Sequence, residues 1–159
     1  MKASRFVMVC GVVMGFACSV NARLGETTEQ VETRYGKPLK TFTVKEGMSS
    51  IYETNGFKIV VQFRNKKSSA EKYSHKDRKL YWNEIEAFLQ VHSDGKKWIE
   101  SNTQESIIRR WSREGGVTAD ISGVVGGNTA EYFTVSDGGK AQREGDAEMQ
   151  KKVKPPSGF

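Results

Sequence analysis

LGETTEQVETRYGKPL, residues 24–39, carries the start and stop signals of one short helix, and the chain after it is written as strand. Thr27 is placed to cap the first turn, and Gln30, three residues on, to reach back and close a capping box. Val31 and Tyr35 are four apart and share one face; Leu24, just before the cap, can pack on that face as a staple. Gly36 supplies the residue that turns left-handed after the helix, and Pro38 prevents its resumption. A helix that delivers directly into strands implies a helix packed on a sheet.

Working outward, Leu39–Val44 alternates like a strand with one buried face, and Gly47-Met48 interrupts it. Ser50–Thr54, Asn55-Gly56 and Phe57–Arg64 make the plainest hairpin in the chain, because Asn-Gly favours the two-residue type I′ turn and both flanks are rich in β-formers. Asn65-Lys66-Lys67 is a second polar turn. Ser68–His75 then reads as an outer strand, since the charged run Lys72–Lys79 suits a sheet edge that must avoid pairing with other chains.

Trp82–His92 is a second helix, with Trp82, Ile85, Phe88 and Leu89 on one face. Asn83 reads as its cap and Glu86 as the box partner, and Ser93-Asp94-Gly95 ends it. Lys96–Glu100 is extended and Ser101–Ser106 polar. Ile107–Arg113, Glu114-Gly115-Gly116 and Val117–Ile121 read as a second hairpin, and Thr129–Val135 as a final strand. The expectation is an α+β fold over residues 23–136, two short helices packed on an antiparallel β-meander. Residues 24–75 and 82–136 share the order helix, glycine, lysine, strands. That is either the common grammar of α+β chains or a tandem repeat of α-β-β-β units. Residues 137–159, with few apolar side chains, mixed charge and two prolines, read as a disordered tail.

The first 22 residues read as an address rather than structure. Lys2 and Arg5 precede the apolar run Phe6–Cys18, which is short of the ~20 residues that span a bilayer. Val20 and Ala22 are the small residues a signal peptidase reads, so cleavage is expected before Arg23, with a periplasmic or secreted fate. Cys18 raises a lipoprotein anchor as the competing reading, but the bulky Phe16 fits that signal poorly. No later apolar stretch reaches spanning length, so the mature chain is expected to have no transmembrane segment.

Both cysteines, Cys10 and Cys18, fall in that leader, which leaves packing alone to stabilise the exported domain. The formal charge of +6 drops by two when Lys2 and Arg5 leave. A bias this mild suits a neighbourhood of anionic lipid or polysaccharide and gives no reason to expect nucleic acid.

Little in the chain looks like chemistry. Ser74-His75-Lys76-Asp77 invites comparison with a triad, but triads are assembled in space from distant segments, and His75 reads as solvated on an edge strand. His92 reads as a cation complementing the C-terminal end of the second helix. Glu29, Glu32, Glu84 and Glu86 look like first-turn and exposed-face charges. No His/Cys/Asp cluster has ligand spacing, so no metal site and no cofactor are expected. Gly123-Val-Val-Gly126-Gly127 lacks the lysine of a phosphate loop and reads as a bent strand connection. The binding candidates are Trp98, Arg109, Arg110, Trp111 and Tyr132, with Arg113 beside them, because tryptophan and arginine dominate interface hot spots. The opposing reading packs each tryptophan under a helix.

Gly25-Glu-Thr-Thr-Glu-Gln-Val31, continuing through Gly36-Lys-Pro38 into strands that end at Arg64, resembles the opening of the SmpA/OmlA type of small outer-membrane assembly lipoproteins. It is also similar to each half of the β-lactamase inhibitor protein. The resemblance implies a non-enzymatic module that binds a protein through a sheet face or its loops. The expected partner is an envelope protein or polysaccharide; the alternative is an envelope hydrolase acting on peptidoglycan or polysaccharide.

Overall fold

The computed structural model describes residues 24–45, 47–101, 109–122 and 129–138. The expected leader, the Gly123–Gly127 connection and the tail from residue 139 onward lie outside the described residues. Helix α1 spans Thr28–Tyr35 and is followed by β1 (Lys40–Val44), β2 (Gly47–Thr54), β3 (Phe57–Arg64) and β4 (Lys67–His75). Then come β5 (Leu80–Tyr81), α2 (Trp82–Val91), β6 (Ile99–Ser101), β7 (Arg109–Arg113), β8 (Val117–Ser122), β9 (Thr129–Ala130) and β10 (Tyr132–Ser136).

The α1 signals act as read. Thr27 N–H donates to Gln30 Oε1 at 2.9 Å, and Gln30 N–H donates back to Thr27 Oγ1 at 3.4 Å. Gly36, with φ of 86°, closes the helix by donating its N–H to the Glu32 carbonyl. The Asn55-Gly56 turn joins β2 to β3 with both residues at positive φ, as type I′ requires. Gly47 is needed for a different reason: a Cβ there would overlap the Phe63 carbonyl oxygen of the neighbouring strand.

Eight strands form one antiparallel sheet in the order β1-β2-β3-β4-β10-β8-β7-β6, and β5 pairs with β9 beside it. Four strands therefore run from one edge inward to β4, and four from the other edge inward to β10. The α+β expectation holds in its broad form, though sheet dominates. Alternation sends Tyr52, Ile59, Val61, Tyr73, Phe133, Val135, Ala119, Ile121 and Trp111 to one face, where all are buried. Both helices lie on that face. Val31 from α1 and Ile85 from α2 are fully buried, and the Phe88 ring of α2 stacks on Tyr73 with centroids 4.4 Å apart.

Three expectations are corrected. Strand β4 is central, paired with β3 on one side and β10 on the other. Its charge misleads because Lys72 projects from the uncovered face, where a charge is solvated anywhere in a sheet. Helix α2 begins at Trp82 rather than after Asn83: the Tyr81 N–H donates to Glu84 Oε2 at 2.8 Å, so Glu84, not Glu86, closes the start. The last strand is divided, because Glu131 N–H turns aside to the Ser122 carbonyl, giving β9 to β5 and β10 to the main sheet. Next after β10, Asp137 is buried and its N–H donates to the Ser69 carbonyl.

Candidate functional site

The five binding candidates divide between the two faces of the sheet. Arg109 and Trp111 are two apart on β7 and project toward the helices, whereas Arg110 between them projects the other way. On the helix side the Arg109 guanidinium lies 4.3 Å from the Trp82 ring centroid and donates twice to Glu100, at 2.6 and 2.9 Å. Its hydrogen bonding is thereby spent on tying β6 and β7 to α2. Trp111 is buried, 6.2 Å from the Trp82 ring. Trp98 is half-buried and its indole N–H donates to the Leu89 carbonyl at 2.7 Å. Both tryptophans therefore pack against the second helix. Arg110 and Tyr132 stand on the uncovered face.

Beneath the helices sits a polar cluster that sequence reasoning missed. Glu71 is fully buried on β4, with Arg34 and Tyr35 of α1 above it and His92 at the end of α2 beside it. Arg34 reaches Glu71 at 3.4 Å and pairs with Glu26 as well. The proton order follows from counting donors. A tyrosine hydroxyl carries one proton. Tyr73 donates its proton to Glu71, and Tyr35 donates to the same carboxylate oxygen at 2.8 Å. Tyr73 oxygen then accepts from His92 Nε2, 3.0 Å away, which puts a proton on that ring nitrogen. Burial, then the positive charges of Arg34 and Arg113, push His92 down to about 3. The expected helix-end cation is thus corrected to a buried neutral ring. Burial, reinforced by the Glu71 charge, holds both tyrosines above their ordinary range. His75 is half-exposed and packs on Phe57, with centroids 5.4 Å apart.

A faint signal for Glu71 exists in the sequence. Once β3 and β4 are paired, Glu71 stands opposite Val61, and Tyr73 opposite Ile59, so all four share a face. That pairing includes a register shift at Gln62/Phe63, which the sequence does not announce.

The uncovered face runs across all eight strands, and the registers order it into rows. One row reads Phe42, Ser49, Gln62, Ala70, Ser136, Thr118, Ser112, Ile99. In it Ser49 is buried and Gln62 is long and exposed, whereas Ala70, Ser136, Thr118 and Ser112 put only small, partly exposed side chains on four adjacent strands. The next row reads Lys40, Ile51, Val60, Lys72, Thr134, Asp120, Arg110, Ser101. Lys72 Nζ lies 3.6 Å above the Tyr132 ring centroid, and Asp120 faces Arg110 across the strands. Burial raises Asp120 above the usual carboxylate range, against the pull of Arg110 and Lys72.

Two hollows flank the helices. One, of about 380 Å³, mixes Lys67, Lys96 and Arg113 with Asp94, Glu114 and Asp137 and so selects no sign of charge. The other, about 190 Å³, is a mostly apolar cleft over Phe57, Ile59, Tyr73 and Phe88. Among the described residues no three His, Cys, Asp or Glu are grouped to hold a metal, and no helix is long and apolar enough to cross a membrane.

No family model matches the chain, and no curated protein matches it. Solved structures similar to it include two extracellular or secretory proteins. A cysteine-rich secretory protein from Staphylococcus aureus subsp. aureus Mu50 aligns at 6% identity and a TM-score of 0.44, over 71% of this chain and 44% of its own. An extracellular protein containing a SCP domain from Bacillus anthracis str. Ames aligns at 6% identity and 0.44, over 89% of this chain and 53% of its own. The chain thus spans about half the length of the structures it matches.

Proposed function

We propose that the chain is an exported, non-catalytic module that binds another protein on the uncovered face of its sheet. The observation that carries this reading is the small-residue row from Ala70 to Ser112. Solvated sheet faces are ordinarily studded with long charged side chains, and covering those costs about 0.5–1.5 kcal/mol each in lost rotamer freedom. A row of Ala, Ser and Thr four strands wide costs little to cover and lets a flat partner approach the backbone. Lys40, Lys72 and Arg110 in the adjacent row favour a partner with acidic groups facing them. The leader-like first 22 residues support export. The closure of Glu71 under Arg34, Tyr35 and Tyr73 supports a packing role for this buried carboxylate.

The same reading takes residues 24–75 and 82–136 as tandem units, each a helix followed by strands that step from a sheet edge to its middle. The inward order from both edges supports it, with four main-sheet strands per unit instead of three, as does the likeness of residues 25–64 to the SmpA/OmlA and β-lactamase inhibitor units. The binding test is substitution within the row. Ala70→Arg and Thr118→Arg should each abolish capture of the natural partner while leaving thermal unfolding within a few degrees. Full binding by both variants would end the proposal.

A further inference from the structure

We infer that strand β1 is a self-pairing edge, on which a second copy of this chain lays its own β1 antiparallel. Among the described residues strand β1 pairs with β2 alone, and all five of its residues are exposed. Its outward N–H and C=O groups therefore form a template for another strand. Natural edges are usually guarded by a central charge, a proline or a bulge. Thr41-Phe42-Thr43 has none of these, and the β1–β2 register is unbroken from Lys40 to Val44. The opposite edge, β6, is three residues long, and its Glu100 is engaged by Arg109.

Apolar exposure is concentrated at the same place. Of the five large apolar side chains exposed among the described residues, three are Leu39, Phe42 and Val44. Such clustering on an open strand end marks an interaction surface more than scattered exposure does.

What selects a second copy as the occupant is that the strand complements itself in one register. With a two-fold axis through Phe42 along the sheet normal, Phe42 faces Phe42 of the second copy and Thr41 faces Thr43. Lys40 then faces Val44, and Lys45 faces Leu39. Aromatic and Thr–Thr pairs are among the favourable cross-strand neighbours, and no charge meets its like. A slip of one position in either direction would oppose side chains from different faces, which a two-fold along the sheet normal does not allow. This two-fold keeps all helices on one side and joins the two uncovered faces into one surface. The inference does not rest on that surface being a binding site.

Disulfide trapping reads the register directly. Opposed residues of an antiparallel pair lie within cystine reach, with Cα atoms about 4.5–5.5 Å apart. The protein is purified after export as Phe42→Cys and, separately, as Val44→Cys; the native cysteines Cys10 and Cys18 both lie within the leader-like segment. Mild oxidation should link Phe42→Cys into a dimer at least about tenfold faster than Val44→Cys, whose opposite position is Lys40. Sedimentation equilibrium of the unsubstituted protein should show monomer and dimer, and Phe42→Lys should raise the dissociation constant at least about tenfold with an unchanged circular dichroism spectrum. A protein monomeric at every concentration, equal linking of the two cysteine variants, or a dimer indifferent to Phe42→Lys would each overturn the inference. Loss of partner capture with the dimer intact would count against the proposed function alone.

Discussion

The Tyr73 hydroxyl and His92 Nε2 lie 3.0 Å apart where β4 passes beneath the C-terminal end of α2. Through Tyr73 and Glu71 the contact continues to Tyr35 and Arg34 of α1, so one buried hydrogen-bonded chain spans both helices and the middle of the sheet. Groups of this kind stabilise only while every member is satisfied. Their removal should be felt well beyond the site of substitution.

Acid should loosen the fold through His92. Its folded value of about 3 lies below the 6.5 of an unhindered histidine, so between those limits the unfolded chain binds the extra proton. The stabilising contribution is therefore complete above about pH 6.5 and is lost as the pH falls toward 3, with a slope of up to about 1.4 kcal/mol per unit. Urea titrations at stepped pH should show this slope, and His92→Gln should flatten it. An equal slope in both proteins would remove His92 from the account.

Glu71→Ala should cost about 3–5 kcal/mol, because it leaves Arg34 and two tyrosine hydroxyls buried without their shared acceptor. Glu53→Ala, which removes an exposed pair with Lys76, should cost under about 1 kcal/mol. Equilibrium denaturation of the two variants side by side tests the contrast. Equal costs would mean the cluster carries no special weight.

Phe133→Ala should destabilise by about 3–5 kcal/mol, since Phe133 is fully buried among Tyr73, Phe88 and His92 at the seam between β4 and β10. A loss below about 1 kcal/mol by thermal or urea unfolding would mean that the seam collapses freely around the void.

A circular permutant opened between Lys76 and Lys79 should fold. The cut falls between the two candidate units, and Gly25 and Asp137 line the same hollow, so the ends to be joined are near each other. Cooperative unfolding with a native-like near-ultraviolet spectrum is the expected outcome. A molten or insoluble permutant would weaken the tandem-unit reading.

Local signals in the sequence carried α1, the Asn55-Gly56 hairpin and the Glu114-Gly115-Gly116 hairpin into the structure with little change. Each depends on capping groups or turn residues within a few positions of one another, so the chemistry is complete in the stretch itself. The place of β4 was not legible, because a charged strand is compatible with either an edge or a central strand with one solvated face. Glu71 and His92 were hidden for the same reason. Their burial depends on β4 pairing with β10, more than fifty residues away, and on α2 settling over that seam. The binding candidates suffered a parity problem: Arg109, Arg110 and Trp111 are neighbours in sequence but alternate between faces. The row from Ala70 to Ser112 draws one residue from each of four strands and leaves no mark on any single stretch.

The central claim, that the uncovered sheet face is the contact surface, is tested most directly by placing a photo-reactive side chain at Thr134 or Thr118 on that face and at Gln90 or Thr33 on the helices. Cross-linking in the native compartment should trap a partner protein from Thr134 and Thr118 and leave Gln90 and Thr33 unlinked. Adducts formed from the helix positions alone would contradict the account.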